Sequence, residues 1–189
     1  MFIIKRGTEA TDATSLTFRR FMAEGYQGMH ATRADWETHL NTLFPEARLK
    51  KTLEVRGADS VPGRYALGLP ALWSGILYDH DALAAVEARL VPYGHDAWAA
   101  IRPAVMAQGL GASIQGTTLA VLARELLDIS SAALRRRGLK DARGRDETVY
   151  LEALQEIAAD GRCVGDAVLG GWDPAASGAV TDLIRRARF

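Results

Sequence analysis

The spacing of the hydrophobic residues changes near Gly63, and this change sets the fold class. From Arg48 to Arg56, apolar residues occupy odd positions and polar residues occupy even positions, with one exception. Such alternation is typical of a β-strand with one apolar and one polar face. After Gly63, apolar residues recur at steps of three and four, as in amphipathic helices. We therefore predict an α+β protein in which residues 1–62 form a sheet portion with a few antiparallel strands and residues 63–189 form an α-rich portion of a single domain.

The predicted elements follow the same signals along the chain. Residues 2–4 form a short strand, and residues 17–24 form a helix that ends at Gly25. A second helix follows Thr32, a favourable N-cap residue, and ends before Pro45 because proline disfavours helical geometry in the residue before it. Residues 70–78 and 81–90 form two helices or one helix bent near Asp79. Further helices are predicted over residues 97–107, where Pro103 sets a limit, and over residues 118–137, 147–159 and 174–188.

The composition excludes several classes of function. The chain has 189 residues with 23 Lys+Arg and 23 Asp+Glu, so it lacks the broad positive field of a nucleic-acid-binding protein. Its single cysteine, Cys163, cannot form an internal disulfide, which favours a reducing compartment. No window approaches the roughly 18 consecutive apolar residues of a membrane span, and the N-terminal apolar run is too short for a signal peptide. We expect a cytoplasmic protein that binds neither nucleic acid nor membrane.

The polar side of the predicted strand carries an unusual set of charges. Its side chains are Arg48, Lys50, Thr52, Glu54 and Arg56, in a row about 27 Å long if the strand is continuous. One interpretation is the solvated face of an antiparallel sheet, where mixed charges are common. The other is a polyanion site, in which the carboxylate holds Mg²⁺ while the cations meet phosphoryl oxygens. The pattern alone leaves both interpretations open.

A longer motif around this strand resembles a known enzyme family. The run from His39 to Lys50, HLNTLFPEARLK, and the run from Leu53 to Asp59, LEVRGAD, closely resemble the glutamate–cysteine ligases of the plant and proteobacterial type. The flanking segments that match are TFR at 17–19, DW at 35–36, LPALWSGILYD at 69–79 and the stretch from ALRRRGL at 133–139 to GW at 171–172. The resemblance therefore covers nearly the whole chain.

The resemblance implies the C-terminal part of a glutamine-synthetase-like ligase fold and an ATP-dependent reaction. Such enzymes join the γ-carboxylate of glutamate to the amine of cysteine through a γ-glutamyl phosphate, the first step of glutathione biosynthesis. By this resemblance Glu54 is a Mg²⁺ ligand, and Arg56 is the catalytic group that stabilises the transferring phosphoryl group. Arg48 and Lys50 would contact nucleotide phosphates or a substrate carboxylate, and Phe44 would lie near the cysteine-binding side.

The chain departs from the family pattern in its length. Family members are considerably longer, and their N-terminal half supplies further acidic Mg²⁺ ligands and much of the sheet around the nucleotide. The resemblance therefore implies an incomplete domain whose partner is an N-terminal half or a full-length ligase chain. Two alternatives stay open: a non-catalytic remnant that regulates a full-length ligase, and a γ-glutamyl ligase of a related pathway such as ergothioneine synthesis.

Other polar residues have structural explanations. Arg135, Arg136 and Arg137 fall in the last turn of a predicted helix, where cations interact favourably with the helix dipole. The four histidines lack the close spacing of a zinc site. We expect His39, which belongs to the motif, to make a helix-end hydrogen bond rather than to take part in catalysis.

Overall fold

Helices and short antiparallel strand pairs make up the molecule, which confirms the α+β prediction. The computed structural model describes residues 1–49 and 51–188. The chain divides into two compact units, Met1–Asp59 and Ser60–Phe189. The sequence-based boundary after residue 62 falls close to this division, and the assignment of both parts to one domain stays a prediction.

The first unit begins with a β-hairpin. Strand β1 (Ile3–Arg6) pairs antiparallel with strand β2 (Glu9–Asp12). The strand predicted over residues 2–4 therefore extends further, and the polar stretch after it forms a second strand. Gly7 lies between the two strands with φ of +60°, a conformation that glycine adopts without strain.

Two short helices follow, and each begins where a threonine caps it. Helix α1 (Phe18–Glu24) follows Thr17, and helix α2 (Arg33–Asn41) follows Thr32. Each threonine side chain accepts a hydrogen bond at 3.2 Å from the backbone N–H three residues later, which satisfies a donor of the first turn. Gly25 ends α1, as predicted. The buried core of this unit consists of Ile4, Ala13, Leu16, Phe18 and Phe21.

The segment predicted as one strand over residues 48–56 is a β-hairpin. Strand β3 (Ala47–Leu49) pairs antiparallel with strand β4 (Leu53–Val55), and Arg48 lies opposite Glu54. The prediction of a continuous strand, and of a row about 27 Å long, is therefore wrong. Alternation does not reveal the turn because odd positions pair with odd positions across it, so one face stays apolar on both strands. The intervening sequence KKT also lacks the glycine, proline or asparagine that usually marks a turn.

The second unit is mainly helical. Its helices are α3 (Gly63–Ala66), α4 (Gly68–Leu77), α5 (His80–Leu90), α6 (Gly94–Gln108), α7 (Leu119–Arg137), α8 (Glu152–Asp160), α9 (Val164–Leu169) and α10 (Ala179–Arg186). Three 3₁₀ segments, Val91–Tyr93, Gly109–Gly111 and Glu147–Tyr150, and an antiparallel pair of strands, β5 (Ser113–Ile114) and β6 (Thr117–Thr118), connect them. Within residues 1–49 and 51–188, no helix combines the length and the apolar character needed to cross a membrane.

The helix predictions hold best where the hydrophobic period is longest. Helix α7 follows its predicted bounds, with Thr118 as its N-cap and Gly138 in the left-handed conformation at its end. Helix α6 continues through Pro103, although a limit was expected there. Helix α9 and the pair β5–β6 were not predicted, because each is too short to show a period.

Helix α4 packs very closely against α7 and α8. A Cβ atom at Gly75 would lie 2.2 Å from Ser130 Oγ, and one at Gly68 would lie 2.7 Å from Leu154 Cγ. The Ser130 hydroxyl donates to the Leu72 carbonyl at 3.0 Å. The crossing therefore requires glycine at both contacts, because any side chain there would push the helices apart.

The arginines at the end of α7 form ion pairs inside this unit. Arg136 donates to both carboxylate oxygens of Asp79 at 2.8 and 3.1 Å, which holds the pKa of that carboxyl below its usual value. Arg137 pairs with Glu147 at 2.6 Å. These contacts support the structural explanation of the basic run.

Candidate functional site

The hairpin β3–β4 brings three of the predicted polar residues, Arg48, Glu54 and Arg56, together on one face. Arg48 and Glu54 face each other across the two strands. Arg56 follows two residues after Glu54, so its side chain projects to the same side. Its backbone N–H donates to the Glu46 carbonyl at 2.7 Å, which continues the ladder beyond β4. The predicted sharing of one face is therefore confirmed for these three side chains, by a cross-strand route and not along one strand.

One carboxylate oxygen joins both guanidinium groups. Arg48 donates through Nη2 at 2.7 Å and through Nε at 2.9 Å to Glu54 Oε2, and Arg56 donates through Nη1 at 3.2 Å to the same oxygen. The exposed fractions of the three side chains are 14% for Arg48, 32% for Glu54 and 33% for Arg56. Arg48 is thus the anchored cation, and Arg56 is the more accessible one with the longer contact.

The Phe44 ring lies beside the same two cations. The Cζ atom of Arg56 is 5.3 Å from the ring centroid, and that of Arg48 is 5.9 Å away, both within the range of a cation–π interaction. The ring is 67% exposed, so it forms part of the surface and not of the core. Lys50, which was predicted to share this face, lies outside the described residues.

The opposite face of the hairpin is apolar and borders a cavity. Ala47 and Leu49 project to this side, and together with residues of α2 and the following loop they line a cavity of about 520 Å³. Its other lining residues are Glu37, Leu40, Asn41, Leu43, Pro45 and Arg48. The sequence did not point to this cavity, because the helical spacing of Leu40 and Leu43 indicates an apolar side and not a cavity, and the helix ends before Leu43.

A second arginine–carboxylate pair in the same unit has a different environment. Arg6 donates to Asp35 Oδ1 at 2.6 Å and to Oδ2 at 3.1 Å, and Asp35 is buried. The N–H and the hydroxyl of Thr32 donate to Oδ2 at 2.8 and 2.6 Å. The bond from Arg6 lowers the pKa of Asp35, with help from Thr32, although burial acts to raise it. This pair joins β1 to the start of α2, which is a structural role.

The ring of His39 packs within this unit. It stacks on Phe18 with 5.3 Å between ring centroids and 10° between planes, and burial lowers its pKa. Nδ1 is buried and has no hydrogen-bond partner among the residues described. The helix-end hydrogen bond expected of the His39 side chain is therefore not made by Nδ1, and only the backbone carbonyl of His39 accepts such a bond among the residues described, from Thr42 Oγ1 at 2.8 Å. The ring therefore contributes packing.

Glu54 alone makes an incomplete metal site. In the part of the chain that the structure describes, no group of three or more His, Cys, Asp or Glu side chains could hold a metal ion. Two guanidinium groups beside Glu54 also oppose a bare divalent cation. The residues present fit Mg²⁺ only as an ion that arrives with most of its ligands, such as phosphate oxygens and water.

Comparison with known proteins places the chain among ligases. Residues 5–184 match glutamate-cysteine ligase family 2 (GCS2). The chain is 34% identical to a chloroplastic glutamate–cysteine ligase of Medicago truncatula over 191 residues, which is 97% of this chain and 36% of the relative. It is 35% identical to the chloroplastic enzyme of Arabidopsis thaliana over 164 residues, 85% of this chain and 30% of the relative. It is 37% identical to glutamate–cysteine ligase A of Oryza sativa subsp. indica over 144 residues, 75% of this chain and 29% of the relative.

The chain thus spans only about a third of the length of the curated relatives that it matches, at 36%, 30% and 29% of the three. The family match, in contrast, runs from within β1 to within α10. Because this match covers nearly all of the sequence, the chain belongs to the glutamate–cysteine ligase family.

Proposed function

We propose that this chain supplies part of the active site of an ATP-dependent glutamate–cysteine ligase, the enzyme of the first step of glutathione biosynthesis. Family membership supports the reaction class. The observation that carries the assignment to this chain is the cluster of Arg48, Glu54 and Arg56 on one exposed face. Two guanidinium groups against one carboxylate give these three side chains an excess of positive charge, which suits a phosphate-bearing ligand.

The reaction has two steps. The terminal phosphoryl group of ATP moves to an oxygen of the glutamate γ-carboxylate, and ADP leaves. The cysteine amine then attacks the acyl carbon, the bond to phosphate breaks, and the nitrogen loses a proton as the amide forms. Both steps develop negative charge on phosphoryl oxygens, so fixed cations that meet those oxygens lower the barrier.

The contacts of the two arginines support different roles for them. Arg48 makes two contacts to Glu54 and is largely buried, so it keeps the carboxylate in place. Arg56 makes one contact of 3.2 Å and is more exposed, so exchanging that contact for a phosphoryl oxygen costs less. We propose Arg56 as the catalytic cation and Arg48 as a phosphate or carboxylate contact that also orients Glu54. Lys50 is proposed as a further phosphate contact on the basis of the motif.

Mg²⁺ would accompany ATP, and Glu54 could offer it one oxygen ligand. When bound, the ion would neutralise charge on the phosphate chain. Phe44 would position the two guanidinium groups through its cation–π contacts with them. It would also border the cysteine side of the site. Glutamate, cysteine and ATP are the proposed substrates, and the cytoplasm is the proposed location.

A complementary ligase portion completes this proposal. The chain corresponds to 36% of the length of the Medicago truncatula relative, so most of such an enzyme lies outside it. An N-terminal half or a full-length ligase chain would supply the remaining ligands of nucleotide and metal. We call the part of that relative outside the matched segment the complementary portion.

The test is an assay for γ-glutamylcysteine, ADP and phosphate with ATP, Mg²⁺, glutamate and cysteine. We expect little product from the chain alone and ATP-dependent product when the complementary portion is co-expressed with it. Full turnover by the chain alone would contradict the need for a partner. A co-expressed complex that forms without making γ-glutamylcysteine would contradict the proposed reaction, and analysis of the product would reveal a different amine acceptor.

A further inference from the structure

The apolar face of the hairpin β3–β4 is uncovered. Leu49 is 81% exposed, Leu53 is 56% exposed and Val55 is 37% exposed. Leu40 and Leu43, which line the adjoining cavity of about 520 Å³, are exposed as well. A contiguous apolar surface of this kind is typical of a site where another protein segment binds.

The hairpin also lacks the support that stabilises the other strands of its unit. The buried cluster of the first unit includes Ile4 of β1 and no residue of β3 or β4 among those described. Within the described chain β3 and β4 form a two-stranded sheet, so each strand has an outer edge whose backbone groups can pair with a further strand. A pair of three-residue strands is marginal by itself in water, so a covering element would stabilise it.

We propose that this surface, formed by Leu40, Leu43, Leu49, Leu53 and Val55, is the docking site for a strand-bearing segment of the complementary portion. The proposal rests on the proposed function. The length comparison supports this occupant, since the chain spans about a third of each relative, at 36% and 30% of two of them. Addition of a strand to the free edge would supply backbone hydrogen bonds, and apolar side chains of the same segment would pack beside and over the leucines.

The charges of the hairpin disfavour a second copy of this chain as the occupant. Arg48 is the middle residue of β3, and Glu54 is the middle residue of β4. A two-fold antiparallel pairing centred on either strand would place the same charged side chains opposite each other, and like charges directly opposite are destabilising. A different strand has no such conflict.

Docking on the apolar face would leave the polar face open. Glu54 and Arg56 lie on the face opposite to Leu53 and Val55, because successive side chains of a strand point to opposite faces. Arg48 also borders the cavity beside the apolar face. The partner can therefore extend the sheet while its own residues approach the cluster from the edge. This arrangement separates binding of the partner from chemistry, so the two can be tested independently.

The test compares binding of the complementary portion of the Medicago truncatula ligase to variants of this chain. The double variant Leu49→Lys with Leu53→Lys should weaken binding by tenfold or more, on the order of the loss from keeping one large apolar side chain in water. Both positions are exposed here, so the variants should fold, which circular dichroism would verify. The control is Met106→Lys on α6, which is 89% exposed and should bind normally.

The variant Arg56→Ala separates this proposal from the proposed function. It should bind the complementary portion as tightly as the unchanged chain in sedimentation or calorimetry, while ligation falls. Equal binding of the double lysine variant and the unchanged chain would overturn the docking proposal. The docking proposal would also be overturned if the unchanged chain did not bind the complementary portion. It would likewise be overturned if sedimentation showed that a second copy of this chain occupies the apolar face.

Discussion

The first unit contains two hairpins of similar size whose arginine–carboxylate pairs serve different ends. In β1–β2, Arg6 binds a buried carboxylate that also accepts two bonds from Thr32, and Ile4 lies in the core. In β3–β4, the pair of Arg48 and Glu54 stays near the surface and no strand side chain enters the buried cluster described for this unit. The same chemical pair therefore fixes structure where its carboxylate is buried, as for Asp35 at 3% exposure, and keeps the carboxylate accessible where it lies near the surface, as for Glu54 at 32%.

Substitution at the exposed cluster should have the largest effect, and that effect should be on the reaction. We call this chain together with the complementary portion the complemented enzyme. Arg56→Ala should lower its kcat by on the order of 10²–10³, the scale for losing one donor to transition-state charge. Steady-state kinetics with saturating ATP, glutamate and cysteine would measure it. Arg33→Ala is the control, because Arg33 forms only an exposed pair with Glu37 on α2. Similar kcat values for both variants would remove Arg56 from the mechanism.

Substitution at the buried pair should instead affect folding. Asp35→Ala removes the carboxylate that completes the capping box of α2 and binds Arg6, and should lower the free energy of unfolding of the first unit by about 2–4 kcal/mol. Glu54→Gln should change it by less than about 1 kcal/mol, because that pair is partly exposed. Denaturant unfolding with amide exchange in β1 and α2 would measure both. Equal destabilisation by the two variants would contradict the comparison.

Low pH should lower the free energy of unfolding in part as the substitution of Asp35 does. The folded pKa of Asp35 lies below its value in the unfolded chain, chiefly through Arg6, so its contribution to stability is complete above about pH 4. That contribution is lost as the pH falls through the folded pKa. The free energy of unfolding of the unchanged chain should therefore fall more steeply below about pH 4 than that of Asp35→Asn. Parallel curves would show that Asp35 does not carry this pH dependence.

The aromatic ring beside the cluster should have the smallest effect. Phe44→Leu removes a cation–π contact to two guanidinium groups, worth about 0.5–1 kcal/mol at an exposed site. The kcat of the complemented enzyme should fall by about two- to fivefold. Phe2→Leu is a matched exposed phenylalanine at the other hairpin and should leave kcat unchanged. A kcat for Phe44→Leu that is equal to or higher than that for Phe2→Leu would show that the Phe44 ring does not position the cations.

The sequence predicted most of the helices but only part of the hairpin. Long amphipathic segments such as α7 show a clear helical spacing of hydrophobic residues in the sequence, and the structure has helices there. The turn between β3 and β4 escaped detection because Leu49 and Leu53 occupy positions of the same parity and the turn has no glycine. Alternation nevertheless assigned Arg48, Glu54 and Arg56 to one face, since that property depends on parity alone.

The exposure of the apolar face was the least predictable feature. Trp36, Leu40 and Leu43 recur at helical spacing, which ordinarily indicates burial, yet all three are exposed. The spacing identifies which side of a helix is apolar, but it does not specify what covers that side. These side chains are exposed in this structure, so the periodicity by itself did not establish burial.

The two bonds from Arg48 to Glu54 have a consequence for assembly. They restrict the rotamers of both long side chains, so under the proposed function the binding of a phosphate-bearing ligand would cost little further conformational entropy there. The hairpin therefore presents Arg48 and Glu54 in an ordered geometry, and the proposed joining strand would not need to order them.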